Sequence, residues 1–339
     1  MIEIRNLYKY YGDRRAVGPL STEIESGEVV GLLGLNGAGK TTTLRILACD
    51  LLPTSGTVAV DGVDVVEQPE RVRAATGYLP DLPPLYGEMT VREYLRFAAA
   101  LRGVSAPDII KRVREAEKRT GVHRVRNQVI ASLSHGFRQR LGIAQAIVHR
   151  PRLVVLDEPS SGLDPVQIVE MRRLIRELGG DHTVVVSSHI LSEISETCDR
   201  ILMIRDGEIW AAGTEQQLVD RYLSGMQVDV VLRRPAEHPR EQIELLLISI
   251  DGVHAVSPLR ENETEPGIDS FRVSSGSDVR AEICRALVGA GAGVLELTRS
   301  QRELESVFLQ LSQPDSAPAD VEAEATAAPD SGHNEEARA

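Results

Sequence analysis

The sequence predicts an α/β protein built on a largely parallel sheet, with a smaller α+β unit behind it. Three observations predict this. The run Gly34-Leu35-Asn36-Gly37-Ala38-Gly39-Lys40-Thr41-Thr42 fits the pattern GxxxxGK[ST] and lies between a strand-like stretch, 28–33, and a helix-like stretch, 41–49. The continuous apolar runs 153–156 and 183–187 suit short strands covered on both faces of a parallel sheet. From 228 to 311 strands and helices follow one another in the order of a split βαβ unit.

Composition bounds the rest. The chain has 339 residues, enough for two domains with ample core. Hydrophobic residues make up 42% and charged residues 26%, which is ordinary for a globular protein. Met1-Ile2-Glu3-Ile4-Arg5 runs straight into a strand-like segment with no N-terminal signal pattern, and no apolar run approaches the roughly 20 residues that span a bilayer. A cytoplasmic location is therefore expected. The three cysteines, Cys49, Cys198 and Cys284, are scattered and odd in number, and read as reduced, core-type residues. The net charge is −12, yet residues 313–339 alone hold seven acids against one arginine. The remainder is mildly acidic, which argues against nucleic-acid binding through a broad basic face.

The glycine-rich loop carries the first chemistry. Its glycines let backbone N–H groups approach a phosphate chain with no Cβ in the way. Lys40 reaches the β- and γ-phosphates, and the Thr41 hydroxyl is suited to Mg²⁺. Asn36, Gly37, Ala38, Gly39, Lys40, Thr41 and Thr42 form the candidate nucleotide-binding set. The helix that follows places Leu44, Leu47 and Ala48 on one face and turns its positive end toward the anion.

Residues 58–62 read as a strand closing in a turn, and 70–150 as helix-rich, with breaks at Pro83-Pro84 and Pro107. The strand 153–156 ends in Asp157-Glu158-Pro159, so two carboxylates emerge at the sheet edge. Asp157 suits Mg²⁺ through water, and Glu158 suits polarisation of an attacking water. Ser134 and Gly136 sit at the start of an apolar helix, where a hydroxyl and bare N–H groups meet an anion, although Ser134 alone also reads as an ordinary helix cap. Ser160-Ser161-Gly162-Leu163-Asp164-Pro165 follows the carboxylates and alone reads as a glycine turn. His189 follows strand 183–187, where a lone histidine is usually structural. A hairpin is expected over 201–211, turning at Asp206-Gly207.

Beyond Gly213 the character changes. The reading is strand 228–232, helix 239–250, strand 253–258, strand 270–274, helix 278–290, strand 293–298 and a closing helix 301–311. Residues 313–339 hold almost no large apolar side chains and are expected to be disordered.

Taken in their fixed order, these elements resemble the ATPase subunit of an ABC transporter. The family's Walker A loop matches 34–42, its Walker B strand 153–158, its D-loop 161–165 with Asp164, and its switch histidine His189. The signature motif matches Leu133-Ser134-His135-Gly136, with His135 and Phe137 where Gly and Gln are usual. The family's adenine-stacking aromatic corresponds to Tyr11. Its γ-phosphate-linking glutamine falls on Asp81, an oxygen ligand that cannot donate as an amide does.

The resemblance covers roughly 1–220 and implies a P-loop cassette with a mixed sheet core, an antiparallel β edge and a helical subdomain. It implies domains at 1–220 and 226–311 and a tail at 312–339. Two chains would sandwich two ATP molecules. Lys40, Thr41, Asp157 and Asp81 of one chain would face ATP and Mg²⁺, with Ser134 and Gly136 coming from the other. Glu158, His189 and Lys40 would be catalytic. The implied partner is a separate membrane permease, most similar to export-type and gliding-motility-type systems, coupled through the region 78–100, with the chain peripheral on the inner membrane face. A soluble non-transport ABC ATPase and a nucleotide-dependent regulatory protein are the alternatives.

Overall fold

The computed structural model describes residues 1–222, 226–235, 238–259 and 267–299. The chain opens with β1 (Ile2–Tyr11) and β2 (Arg14–Ile24), a long antiparallel pair. β3 (Val29–Leu33) leads into the glycine-rich loop and α1 (Lys40–Leu47). The sequence placed Cys49 on this helix; the helix stops at Leu47, and Cys49 turns the chain away at φ 54. β4 (Ser55–Val60) returns beside β1 and continues into the short β5 (Val63–Asp64). The four strands form a sheet of order β2-β1-β4-β5.

Then come α2 (Pro69–Ala75), β6 (Thr76–Leu79), α3 (Val91–Leu101), α4 (Ala106–Arg119) and α5 (His135–Ile147). α3 starts with a reciprocal cap between Thr90 and Glu93. β7 (Leu153–Leu156), α6 (Pro165–Leu178), β8 (Thr183–Ser188), α7 (Leu191–Ser195), β9 (Arg200–Arg205), β10 (Glu208–Gly213) and α8 (Glu215–Tyr222) follow. The central sheet has the order β10-β9-β3-β8-β7-β6. All its pairs are parallel except the β9–β10 hairpin.

The continuous apolar strands work because both faces are covered. Val30 and Leu32 of β3, and Leu153 and Val155 of β7, face one core, together with α1 and the β1–β4 layer. Val29, Leu33, Val154 and Leu156 face the other, filled from α3, α4, α5 and α6. The alternation is the two-residue period of a strand put to use on both sides. Because these strands are parallel, their carboxyl ends share one edge, and the β3–α1 loop and the β7 and β8 termini meet there.

The C-terminal unit has its own core. β11 (Met226–Arg233), α9 (Arg240–Ile248), β12 (Val253–Pro258), β13 (Ile268–Ser275), α10 (Arg280–Gly289) and β14 (Gly293–Arg299) form a sheet of order β12-β13-β11-β14. Val228, Val230, Leu232, Phe271 and Val273 alternate onto the face that α9 and α10 cover through Ile243, Leu247, Ile283 and Leu287. This is the split βαβ order read from the sequence. The expected closing helix 301–311 and the acidic tail lie outside the described residues.

Candidate active site

A cavity of about 660 Å³ opens at the carboxyl edge of the central sheet. Tyr11, Asn36 through Thr42, Asp81, Glu158 and His189 all line it. Residues far apart in sequence, from 11 to 189, are thus brought to one place by strand order.

The pattern glycines of the loop prove to be matters of packing. A Cβ on Gly34 would lie 2.4 Å from the Ile204 carbonyl oxygen, and one on Gly39 (φ +105) would lie 2.6 Å from that of Ala16. Gly37 (φ +85) has open space around it, as a close phosphate approach requires. Lys40 is buried, and its Nζ donates to the Gly34 carbonyl at 2.8 Å.

Asp157 is 1% exposed. Its Oδ1 accepts from Ser187 Oγ at 2.7 Å and from Thr41 Oγ1 at 3.2 Å. Its Oδ2 is buried with no hydrogen-bond partner. Burial raises the Asp157 carboxyl above the usual carboxylate range, against the pull of the Ser187 and Thr41 hydroxyls, and the Glu158 and Asp81 charges add to the rise. An unpartnered buried oxygen beside an exposed threonine hydroxyl fits a hard divalent cation. Mg²⁺ takes such oxygens and completes its shell with water and phosphate oxygens. Among the described residues no group of three or more His, Cys, Asp or Glu is placed to hold a metal unaided.

Glu158 follows with its backbone at φ 46, a left-handed conformation unusual for a side chain of this size. Its N–H donates to Ser187 Oγ at 2.9 Å. Oε1 lies 3.3 Å from Lys40 Nζ, and Oε2 lies 3.0 Å from His189 Nδ1. A carboxylate accepts only, so His189 carries its proton on Nδ1 and keeps Nε2 for another contact. Tyr11 stands at the end of β1, 48% exposed, with Lys9 Nζ 5.4 Å from its ring centre. Asp81 is exposed and lines the cavity, and its carbonyl accepts from Gln139 Nε2 at 3.3 Å.

Ser134, Gly136 and Asp164 do not line this cavity. Ser134 caps α5, accepting from the Phe137 N–H at 3.4 Å. Gly136 is buried against α6, where a Cβ would lie 2.7 Å from Gln167 Oε1. Asp164 caps α6, accepting from the Gln167 N–H at 2.9 Å. Sequence reasoning missed Arg14 and Ala16, which line the cavity beside Ser161 of the D-loop match, and Ser187, which bonds the Asp157 carboxylate and the Glu158 backbone N–H. Ser187 follows the apolar run Val184–Val186 and stands two residues before His189, a polar break in a buried strand that marks it in retrospect.

A phosphate loop ahead of a helix, with a buried carboxylate and a second one at the end of a parallel strand one position removed in the same sheet, defines a P-loop nucleotide triphosphatase. Comparison with known proteins narrows the class. A family model described as ABC transporter matches residues 17–161. The bacitracin transport ATP-binding protein BcrA of Bacillus licheniformis is 32% identical over 314 residues, covering 92% of this chain and 97% of BcrA. YxlF of Bacillus subtilis, an uncharacterized ABC transporter ATP-binding protein, is 39% identical over 218 residues, 64% of this chain and 72% of its own.

Among solved structures, an ATP-binding subunit of an ABC transporter is 29% identical with a TM-score of 0.60, covering 66% of this chain and 93% of that one. The MJ0796 cassette, solved as a dimer bound to ADP and Pi in a post-hydrolysis state, is 26% identical with a TM-score of 0.58, covering 63% of this chain and 98% of its own. The chain belongs to the ABC transporter ATP-binding family. It is an ATP-binding subunit and an ATPase of that family.

Proposed function

We propose that two copies of this chain sandwich two ATP molecules and drive a separate membrane permease that works as an exporter. The observation that carries the catalytic part is the Glu158 carboxylate, held at the cavity wall between Lys40 and His189. Lys40 and the loop N–H groups of Asn36 to Thr42 bind the β- and γ-phosphates, and Tyr11 stacks on the adenine. Glu158 orients the attacking water and takes its proton, and His189 Nε2 holds the γ-phosphate or that water. Thr41 and Asp157, with Asp81 nearby, hold Mg²⁺, which neutralises phosphate charge.

Ser134 and Gly136 lie outside the cavity, on a helix start, as expected of groups that complete the site of a second chain, with Asp164 beside them. ATP then closes the pair because its γ-phosphate satisfies donors from both chains. Among the described residues no helix is long and apolar enough to cross a membrane, so the transport path is assigned to the permease. On this reading the chain is cytoplasmic and peripheral on the inner face. It divides into a cassette of 1–220, an accessory unit of 226–311 and a tail of 312–339. BcrA's role in bacitracin transport supports the transport reading.

Glu158→Gln tests it. The variant keeps shape and loses the base, so ATP binding persists, turnover falls about 100-fold or more, and ATP-bound dimer accumulates on sizing. Wild-type turnover in the variant overturns the assignment.

A further inference from the structure

His135 is the first residue of α5, flanked by Ser134 and Gly136. Its Nε2 lies 2.8 Å from the carbonyl oxygen of Ser161. A carbonyl accepts only, so Nε2 carries the proton and donates. The ring lies over Gly162 (φ +71), where even a Cβ would stand 3.3 Å from Nε2. The Ser161 N–H in turn donates to the Glu158 carbonyl at 3.0 Å, closing a tight turn that begins at Glu158. Glu158 is the residue in that turn with strained backbone, φ 46. Ser161 itself lines the nucleotide cavity. Two hydrogen bonds thus tie the start of α5 to the backbone of Glu158, whose carboxylate is held by Lys40 and His189. Glycine, the usual residue at this point of the signature motif, has no side chain to make the first link.

We propose that His135 is a positioning residue for hydrolysis: its hydrogen bond to Ser161 holds the turn that aims Glu158. The inference rests on Glu158 acting as the base. On this proposal His135 acts through the turn rather than on nucleotide or water directly. It fixes the far end of a four-residue turn whose near end is strained, so its loss lets the Glu158 carboxylate wander from the attacking water. The bond also joins, within one chain, the helix start proposed to serve the neighbour's ATP to the turn serving its own.

The test compares His135→Ala, His135→Gln and His135→Glu in the full chain, with Glu158→Gln in the same assay. Gln places an N–H donor at the reach of Nε2. Glu has the same shape and length but offers no donor. Loss of one neutral hydrogen bond corresponds to roughly 5-fold in rate. We expect kcat to fall about 5-fold in the Ala variant and at least as far in the Glu variant, with the Gln variant within about 2-fold of wild type. KM for ATP stays within about 2-fold in the Ala and Gln variants, whereas the new carboxylate of the Glu variant also repels the phosphate assigned to Ser134 and Gly136. Equal kcat in the Gln and Glu variants overturns the proposal, as does a loss confined to KM. Wild-type turnover in Glu158→Gln instead overturns the catalytic reading beneath it. An independent readout needs no turnover: in ¹⁵N-histidine spectra, the imidazole signal lost in His135→Gln belongs to a ring protonated at Nε2. An unprotonated Nε2 overturns the proposal.

Discussion

Lys40 Nζ lies 3.3 Å from Glu158 Oε1, with 6% and 16% of the two side chains exposed. The cation proposed to bind phosphate and the carboxylate proposed to activate water neutralise each other across the mouth of one cavity. On the proposed reading, ATP competes with Glu158 for Lys40. Lys40→Met is expected to weaken ATP binding about 10- to 100-fold, the worth of a charge-assisted contact. Titration calorimetry reads this directly. Glu158→Gln, which releases Lys40, should bind ATP at least as tightly as wild type, and weaker binding there would count against the competition.

The two-chain site makes a complementation prediction. Ser134→Arg and Lys40→Ala chains should each be nearly inactive alone. Mixed, they should regain ATPase activity, because a mixed dimer holds one site with both an intact Lys40 and an intact Ser134. The recovered activity should rise with protein concentration. Activity per chain that stays constant down to clear monomer would contradict the sandwich.

Two glycines separate sterics from conformation. A Cβ on Gly77 in β6 would lie 2.0 Å from the Ala146 carbonyl oxygen of α5, a backbone atom that cannot step aside. Gly180 has φ +81 and nothing within 4 Å of a Cβ. Gly77→Ala should cost about 3 kcal/mol through overpacking, and Gly180→Ala about 1 kcal/mol through left-handed strain. Denaturant melts rank the two, and similar losses would refute the packing account.

His149 supplies a pH prediction. Burial, and next the nearby Arg102 charge, push its imidazole down to about 4. The folded chain therefore keeps this ring neutral, while the unfolded chain takes up a proton near pH 6.5. Between about 6.5 and 4 the unfolded state binds more protons, so stability drops as pH falls through that window. His149→Gln should flatten this part of the stability curve. A slope unchanged from wild type would show that the ring does not contribute.

Much of this was legible in the sequence where one residue type does one job. The phosphate loop, the strand ending in Asp157-Glu158, and the start of α5 at Ser134 all lie where their residue chemistry demanded. The C-terminal alternation also survived, with the strand read over 253–258 matching β12 residue for residue. What was not legible depended on partners remote in sequence. β6, four residues long, sat inside a region read as helix-rich, and only pairing with β7 makes it a strand. α6 carried no expectation at all, though Asp164 caps it and Pro165 opens it. The role of Ser187 became visible only when the ends of β7 and β8 met.

The left-handed backbone of Glu158 has an evolutionary consequence. A glycine there would relax strain of roughly 1–2 kcal/mol and would lose the carboxylate. The position thus keeps a strained residue that a stabilising glycine could replace only at the expense of the carboxylate. In a lineage released from the need to hydrolyse ATP, this residue should be among the first of the cavity to be exchanged for glycine or asparagine, while Gly34 and Gly39, fixed by neighbouring backbone, should outlast it.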